Sequence, residues 1–334
     1  PMMLSAKYQM VTVRLQARGK ASVPMLDGQS QTLLEIESRV QAGDQQIESV
    51  MWANDDGHVL RTYAPAIQMF AYRVDEPTDE ALRGDGPDWS LAFDVAGRLD
   101  KPAESSRVAY RVSPSAAVAK TGGPIKIPSA PGQLVRSMPD GSVQVLVSRK
   151  QETPTKGFVQ SDLEPTEEDR RPNQWLDSNS PLIRRIVEYA LDDKENASAR
   201  EVALQLTRTA KSTFDEQTHL FLGFRRASEI ERVGDSTDHA IVLSAMLRAR
   251  RIPARLASGV VYLPGDQDRM VYHTWTLAYV DGSWLSLDAT LGTMAPPDRI
   301  TLGTTTLDEG TEYVSIDAVT AVAGTIDIAI VGAQ

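Results

Sequence analysis

Residues 234–262 read GDSTDHAIVLSAMLRARRIPARLASGVVY, and residues 272–292 read YHTWTLAYVDGSWLSLDATLG. The first stretch is nearly all apolar from Ala240 to Arg250 and closes before Pro253, which predicts a helix. Ala254 to Tyr262, Tyr272 to Val280 and Ser283 to Leu287 read as strands, and Asp281-Gly282 joins the last two as a tight hairpin. Upstream, Pro181 to Leu191 carries apolar residues at 182, 183, 186, 187, 190 and 191, the stripe of an amphipathic helix. Ser198 to Phe214 continues the helical pattern with Val202, Leu204, Leu206 and Ala210. It opens on Ser198 with Glu201 three residues later, a capping-box spacing. Ala227 to Val233 reads as a short helix. Helices first and strands after make an α+β layout.

Three residues of these stretches carry chemistry together. Ser236 stands at the start of the helix. Unpaired N–H groups and the positive end of the helix dipole there would lower a thiol's pKa and hold a developing oxyanion. His273 lies on the following strand and suits a general base. Asp288, just past the hairpin, would fix the tautomer of His273 and stabilise its imidazolium. The two-residue turn sets the hairpin register and brings His273 and Asp288 within reach.

Both stretches resemble the core of the transglutaminase-like superfamily. Its pattern runs Gly-Asp-Cys-(Thr/Ser)-(Glu/Asp)-His-Ala, an apolar helix, Gly-Ile-Pro-Ala-Arg, a strand, a His-Ala/Thr-Trp strand and Trp-x-x-Leu-Asp. The match spans about residues 226 to 292. The resemblance implies a papain-like α+β fold, with the family's Cys, His and Asp falling on Ser236, His273 and Asp288. It also implies hydrolysis or transfer of acyl groups at amide bonds in a peptide or protein substrate. Ser236 departs from the pattern. A hydroxyl is a far weaker nucleophile at neutral pH than a thiol, so the chain as written is expected to be inactive or crippled. A deliberate exchange and a natural loss both account for the serine; the second leaves a pseudoenzyme that binds a peptide or other polymer.

Taken singly, these residues have ordinary readings. Ser236 alone would be a helix N-cap, His273 a polar strand residue, and Asp288 a turn residue. His239 comes nearly one helical turn after Ser236 and reads as a buried structural residue rather than the base. Asp235 is placed to cap or orient the helix start. His58, just past a hairpin turn, and His219 read as ordinary. Trp275 and Trp284 are expected to pack the strands, with one of them alternatively lining the acyl-binding cleft. A second donor for an oxyanion is expected between Gln217 and Phe224.

Residues 1–150 read as an antiparallel β domain of unknown role. Val11 to Leu15 and Leu33 to Val40 alternate with period two. Glu48 to Trp52 and Val59 to Tyr63 flank the turn Asn54-Asp55-Asp56-Gly57. Gln133 to Arg136 and Ser142 to Ser148 flank Pro139-Asp140-Gly141. Ala-Tyr-Arg-Val occurs at 71–74 and again at 109–112, a weak hint of duplication. Residues 151–175 combine prolines with charge and read as a linker, leaving 176–334 for the transglutaminase-like domain.

With 334 residues, two domains are expected. There are 45 acidic against 35 basic residues, a net charge of -10, and no basic face for nucleic acid is apparent. The chain contains no cysteine, which excludes disulfides and thiol chemistry for this sequence. No metal or cofactor motif is present: there is no glycine-rich phosphate loop, no Gly-x-Ser-x-Gly elbow and no His-Glu-x-x-His helix. Asn196-Ala197-Ser198 is a formal glycosylation triplet of a kind common by chance. No apolar run approaches the length of a membrane span. The start at Pro1-Met2-Met3 reads as trimmed, so the lack of a signal pattern does not argue for a cytoplasmic home. A bacterial extracytoplasmic setting, periplasmic or secreted, is the expectation.

Overall fold

The computed structural model describes residues 12–334 apart from 26–28, 43–44, 65–68, 74–91, 116–124, 151–156, 160–163, 193–195, 214, 217–225, 231–232, 266, 309–317, 320–321 and 323–324. The architecture is α+β, mostly strands with three α-helices among the described residues. The chain divides into two compact units, Pro1–Asp88 and Trp89–Gln334.

The first unit is a five-stranded antiparallel meander of β1 (Thr12–Pro24), β2 (Ser30–Ala42), β3 (Gln45–Ala53), β4 (Val59–Ala64) and β5 (Met69–Tyr72). The expected turn at Asn54 to Gly57 joins β3 and β4, with Gly57 at φ 82° and its N–H bonded to the Asn54 carbonyl. His58 follows this turn and is exposed. Val23, Leu33 and Ala53 are buried. Arg61 lies over the rings of Trp52 and Tyr72 at 5.0 and 5.4 Å, and its Nη1 donates to the Pro24 carbonyl. A guanidinium stacked between aromatics fills space that this small core leaves open.

The second unit begins with β6 (Ala92–Ala96), β7 (Arg107–Pro114), β8 (Gln133–Ser137) and β9 (Val143–Ser148). Helices α1 (Pro181–Ala190) and α2 (Ala199–Thr213) follow, then short strands β10 (Asp215–Glu216) and β11 (Val233–Gly234) and helix α3 (Ser236–Ala249). The remaining strands are β12 (Ala254–Leu263), β13 (Arg269–Val280), β14 (Ser283–Asp288), β15 (Thr293–Met294), β16 (Arg299–Thr305) and β17 (Ile326–Ala333). Ten strands of this unit, β6 to β9 and β12 to β17, form one sheet in the order β15-β14-β13-β6-β17-β7-β9-β8, with β12 paired to β13 and β16.

This sheet moves the expected boundary at 150. Strand β6 pairs with both β13 and β17, and β7 pairs with β17, so hydrogen bonding runs continuously across that position. Val108, Tyr110, Val112 and Val145 share one apolar core with Val260, Met270 and Ile300. Buried Gln133 on β8 clamps the main chain of Thr301, accepting from its N–H at 2.7 Å and donating to its carbonyl at 2.8 Å. Ala71 and Tyr72 of the first Ala-Tyr-Arg-Val segment end β5, whereas the second segment lies in β7, in a different sheet of the other unit.

The expected linker is also anchored where it is described. Asp169 is fully buried and receives Arg255 through both oxygens, Nε at 2.7 Å on Oδ1 and Nη2 on Oδ2. Its backbone carbonyl accepts from Ala254 N. The charged composition read as solvated surface because a sequence does not show which charges find partners.

The helices start where their caps place them. Ser180 accepts from Leu182 N, and Pro181 occupies the first helical turn of α1. Ser198 and Glu201 exchange the expected bonds: Ser198 N donates to Glu201 Oε2 at 2.8 Å and Glu201 N to Ser198 Oγ at 3.3 Å. The short helix shrinks to a single 3-10 turn, Ala227–Glu229. Helix α3 is buried almost all round, with Ile241, Leu243, Met246 and Leu247 at 0% exposure. Each such side chain contributes about 2 kcal/mol of apolar burial. Arg251, at φ 60°, turns the chain out of α3 ahead of Pro253. No helix among the described residues is long and apolar enough to cross a membrane.

Candidate active site

The start of α3 is fixed by Asp235. Its carboxylate accepts from Thr237 N at 2.9 Å and Asp238 N at 3.1 Å, and Asp238 reaches back to Asp235 N at 3.2 Å. Asp235 is therefore the N-cap and Ser236 the first helical residue, which sets aside the reading of Ser236 as the cap. His239 is 2% exposed, with Nδ1 2.9 Å from the Asp235 carbonyl, so it braces this turn from inside.

Ser236 faces β13. Its Oγ accepts from the Thr274 N–H at 3.2 Å, which sets the hydroxyl beside the residue that follows His273. The edge of β13 is divided here: pairing with β6 ends at Val271 and pairing with β14 begins at Thr276. Tyr272, His273, Thr274 and Trp275 fall in the interval between the two partner strands. On the opposite edge, β12 pairs through the whole stretch and sets Gly259 against His273. Beneath Ser236 lies a buried group of hydroxyls. Thr274 Oγ1 is 3.2 Å from Thr237 Oγ1, 3.1 Å from Ser258 Oγ and 3.0 Å from Tyr272 OH. Burial raises the Tyr272 phenol above its ordinary value, so it stays protonated.

The hairpin turn carries positive φ at both central residues, Asp281 at 53° and Gly282 at 78°, as a two-residue turn between twisted strands requires. His273 Nε2 then meets Asp288 Oδ2 at 2.9 Å. The other oxygen, Oδ1, accepts from Thr290 N at 3.0 Å and Thr290 Oγ1 at 2.7 Å. Burial works against ionising Asp288, but the charge and hydrogen bond of His273 and the Arg299 guanidinium outweigh it. Together they hold the carboxyl well below the usual carboxylate range. An ionised carboxylate only accepts, so Nε2 bears a proton whether the ring is neutral or charged.

Arg299 is the residue that sequence reading did not find. Its Nη1 donates to Asp288 Oδ2 at 2.9 Å, its Nε to the Pro296 carbonyl at 3.0 Å and to Asp298 at 3.2 Å, and it lies 5.0 Å over the Trp275 ring. At 3% exposure it is buried. A shift of register between Ser258 and Gly259 sets β16, which Arg299 opens, against β12. Gly259 allows that approach, because a Cβ there would stand 2.0 Å from the Ile300 carbonyl oxygen. Burial raises the Asp298 carboxyl above its ordinary value even with Arg299 beside it.

Trp275 and Trp284 are 1% and 7% exposed and form a small core with Ala257 and Leu277, as expected of packing residues. The structure thus brings Ser236, His273 and Asp288 to one place, and leaves His58 in the other unit. His219 and the segment Gln217 to Phe224 lie outside the described residues.

Residues 182–289 match the transglutaminase-like superfamily, about a third of the chain. Comparison with the curated proteins returns no match. Among solved structures, a proposed cysteine protease from Cytophaga hutchinsonii is 14% identical. It aligns over 73% of this chain and 89% of its own, with a TM-score of 0.39. The periplasmic domain of TgpA from Pseudomonas aeruginosa, bound to ethylmercury, is 15% identical over 57% of this chain and 92% of its own, with a TM-score of 0.32. A proposed protease from Parabacteroides distasonis is 11% identical over 84% of this chain and 67% of its own, with a TM-score of 0.27. The matched segment takes in α1 from Leu182 onward, α2, α3 and the hairpin bearing His273 and Asp288, and it is this part of the chain that is similar to the core of the transglutaminase-like superfamily.

Proposed function

We propose that Ser236, His273 and Asp288 are the nucleophile, base and orienting carboxylate of a site for acyl transfer or amide hydrolysis, with serine standing where this chemistry uses cysteine. The observation that carries the reading is the 2.9 Å bond from His273 Nε2 to an ionised Asp288, beside a helix start whose Ser236 Oγ is held against Thr274 N. With Nε2 committed to Asp288, Nδ1 is the nitrogen left to take a proton from residue 236. A thiol there would be deprotonated by His273 and attack an amide carbonyl of a peptide or protein substrate. Water or an amine would resolve the acyl-enzyme. Asp235 takes up the Thr237 and Asp238 amides, so at the helix start the oxyanion falls to the Ser236 amide. The chain as it stands is inactive or crippled, because an alcohol is far harder to deprotonate than a thiol. A bacterial extracytoplasmic setting remains part of the proposal.

One observation favours a second reading, a natural pseudoenzyme that binds a peptide or other polymer. Arg299 already compensates the Asp288 charge that would otherwise be reserved for an imidazolium. One experiment separates the two. The alkylation rate of Ser236→Cys is measured against pH, with and without His273→Ala. The chain has no other cysteine, so the signal comes from one site. A thiol reactive well below pH 8 that loses this reactivity with His273 supports the acyl-transfer site. An ordinary thiol, near pH 8.5 and indifferent to His273, refutes it and leaves the binder.

A further inference from the structure

Helix α3 has 14 residues, so its far end stands roughly 20 Å along the axis from Ser236. There the surface forms a basin of about 400 Å³ lined by Arg170, Arg184, Arg248, Arg250 and Arg251. Glu188 is the one acidic residue among the described residues that line it. Five arginines and one glutamate line the basin, with Asp169 and Asp308 near enough to act on Arg248 from behind it, in a chain whose net charge is -10.

The arginines converge from three stretches of chain. Arg170 comes from the segment ahead of α1, Arg184 from α1, and Arg250 and Arg251 from the end of α3. Among the described residues, these four enter no salt bridge, whereas neighbouring Arg171 pairs with Asp308 and Arg255 with Asp169. Arg248 forms the floor. It is 3% exposed, and its donors go to the carbonyls of Ala254, Arg171 and Thr306 rather than to a carboxylate. Burial lowers it only to about 10, so it stays charged at neutral pH.

Cations at a helix C-terminus complement the dipole, and that alone would account for Arg250 and Arg251. It does not account for Arg170 and Arg184, which belong to other elements. Arg251 also holds φ 60°, a left-handed conformation that favours glycine because any Cβ there crowds the following carbonyl oxygen.

We propose that this basin is a binding site for a compact polyanion, a molecule that presents two or more phosphoryl or carboxylate groups to the converging guanidiniums. Planar guanidinium forks bind both oxyanions in pairs of charge-assisted hydrogen bonds. The site is independent of the chemistry assigned to Ser236.

The test is calorimetric titration of the full chain with tripolyphosphate and, separately, with citrate at low ionic strength. Saturable one-to-one binding of tripolyphosphate supports a phosphoryl ligand, and binding of citrate in its place supports a carboxylate. Arg251→Gly relieves the left-handed strain while removing a charge, so it should weaken binding about tenfold without lowering Tm. The pair Arg170→Gln and Arg184→Gln should weaken binding at least as much. Arg185→Gln, on the same helix as Arg184 but outside the basin, should leave it unchanged. Failure of both anions to bind at millimolar concentration overturns the proposal. So does an unchanged affinity in Arg251→Gly, or an Arg185→Gln effect equal to that of Arg184→Gln.

Discussion

Replacing Asp288 by asparagine removes one charge and turns one of two acceptor oxygens into a donor. Suppose the amide oxygen stays with Thr290, which donates through N at 3.0 Å and Oγ1 at 2.7 Å. The new NH2 then confronts His273 Nε2 and Arg299 Nη1, each 2.9 Å from the oxygen it replaces. If the amide flips, the Thr290 amide loses its acceptor instead. Removing one partner of a buried pair typically costs 3–5 kcal/mol. Arg299 keeps Asp298 and the Pro296 carbonyl, which places this case at the low end, at about 3 kcal/mol. In a unit running from Trp89 to Gln334 that corresponds to a fall in Tm of about 6–12 °C. Thermal unfolding of Asp288→Asn, Arg299→Met and the double variant measures it. The double variant should recover at least about 1 kcal/mol relative to the sum of the singles, because it leaves no buried guanidinium facing a donor. A Tm within about 2 °C of the parent, or strictly additive substitutions, would refute the view that Asp288 and Arg299 are a coupled buried pair.

The depressed Asp288 carboxyl also sets a pH dependence. Its stabilisation is complete above the unfolded value near 3.8 and drains away as pH falls toward the lower folded value. Tm should therefore decline between pH 5 and pH 2, with little dependence on salt because the group is buried, and less steeply in Asp288→Asn. Asp169→Ala strands Arg255, whose side chain keeps 20% exposure, and should lower stability by about 2–3 kcal/mol. Guanidinium unfolding reads this directly, and a change under about 0.5 kcal/mol would return the segment to the status of a spacer. Gly259→Ala drives a Cβ to 2.0 Å from the Ile300 carbonyl oxygen, a backbone contact that cannot rotate away. About 3 kcal/mol of destabilisation, or loss of soluble protein, is expected, and a normal melting curve would contradict the close approach of β12 and β16.

What the sequence discloses here is local. The apolar stripe of Pro181 to Leu191, the Ser198–Glu201 cap and the Asp281-Gly282 turn each act within a few residues, and each forms as expected. The meeting of His273 with Asp288 follows from that turn and is legible for the same reason. Arg299 is not, because its place beside Asp288 depends on the register of β16 against β12, and nothing near residue 299 specifies that register. The boundary expected at 150 misleads for a related reason. The turns of β8 and β9 can be read locally, but their partners across the sheet come from far along the chain. Asp169 looked like part of a polar linker because composition does not distinguish a solvated carboxylate from one matched by Arg255.

Strand β17 lies between β6 and β7, with Ile326 registered against Pro114 and Ile328 beside Val95. During synthesis β6 and β7 leave the ribosome long before the strand that separates them exists. Until residues 326–333 emerge, the two earlier strands present open edges to any other chain, or to each other in a non-native pairing. The sheet is therefore completed last and from its middle, a slow step governed by distant contacts. Nascent chains stalled before residue 326 should be the species that a chaperone holds or an aggregate captures.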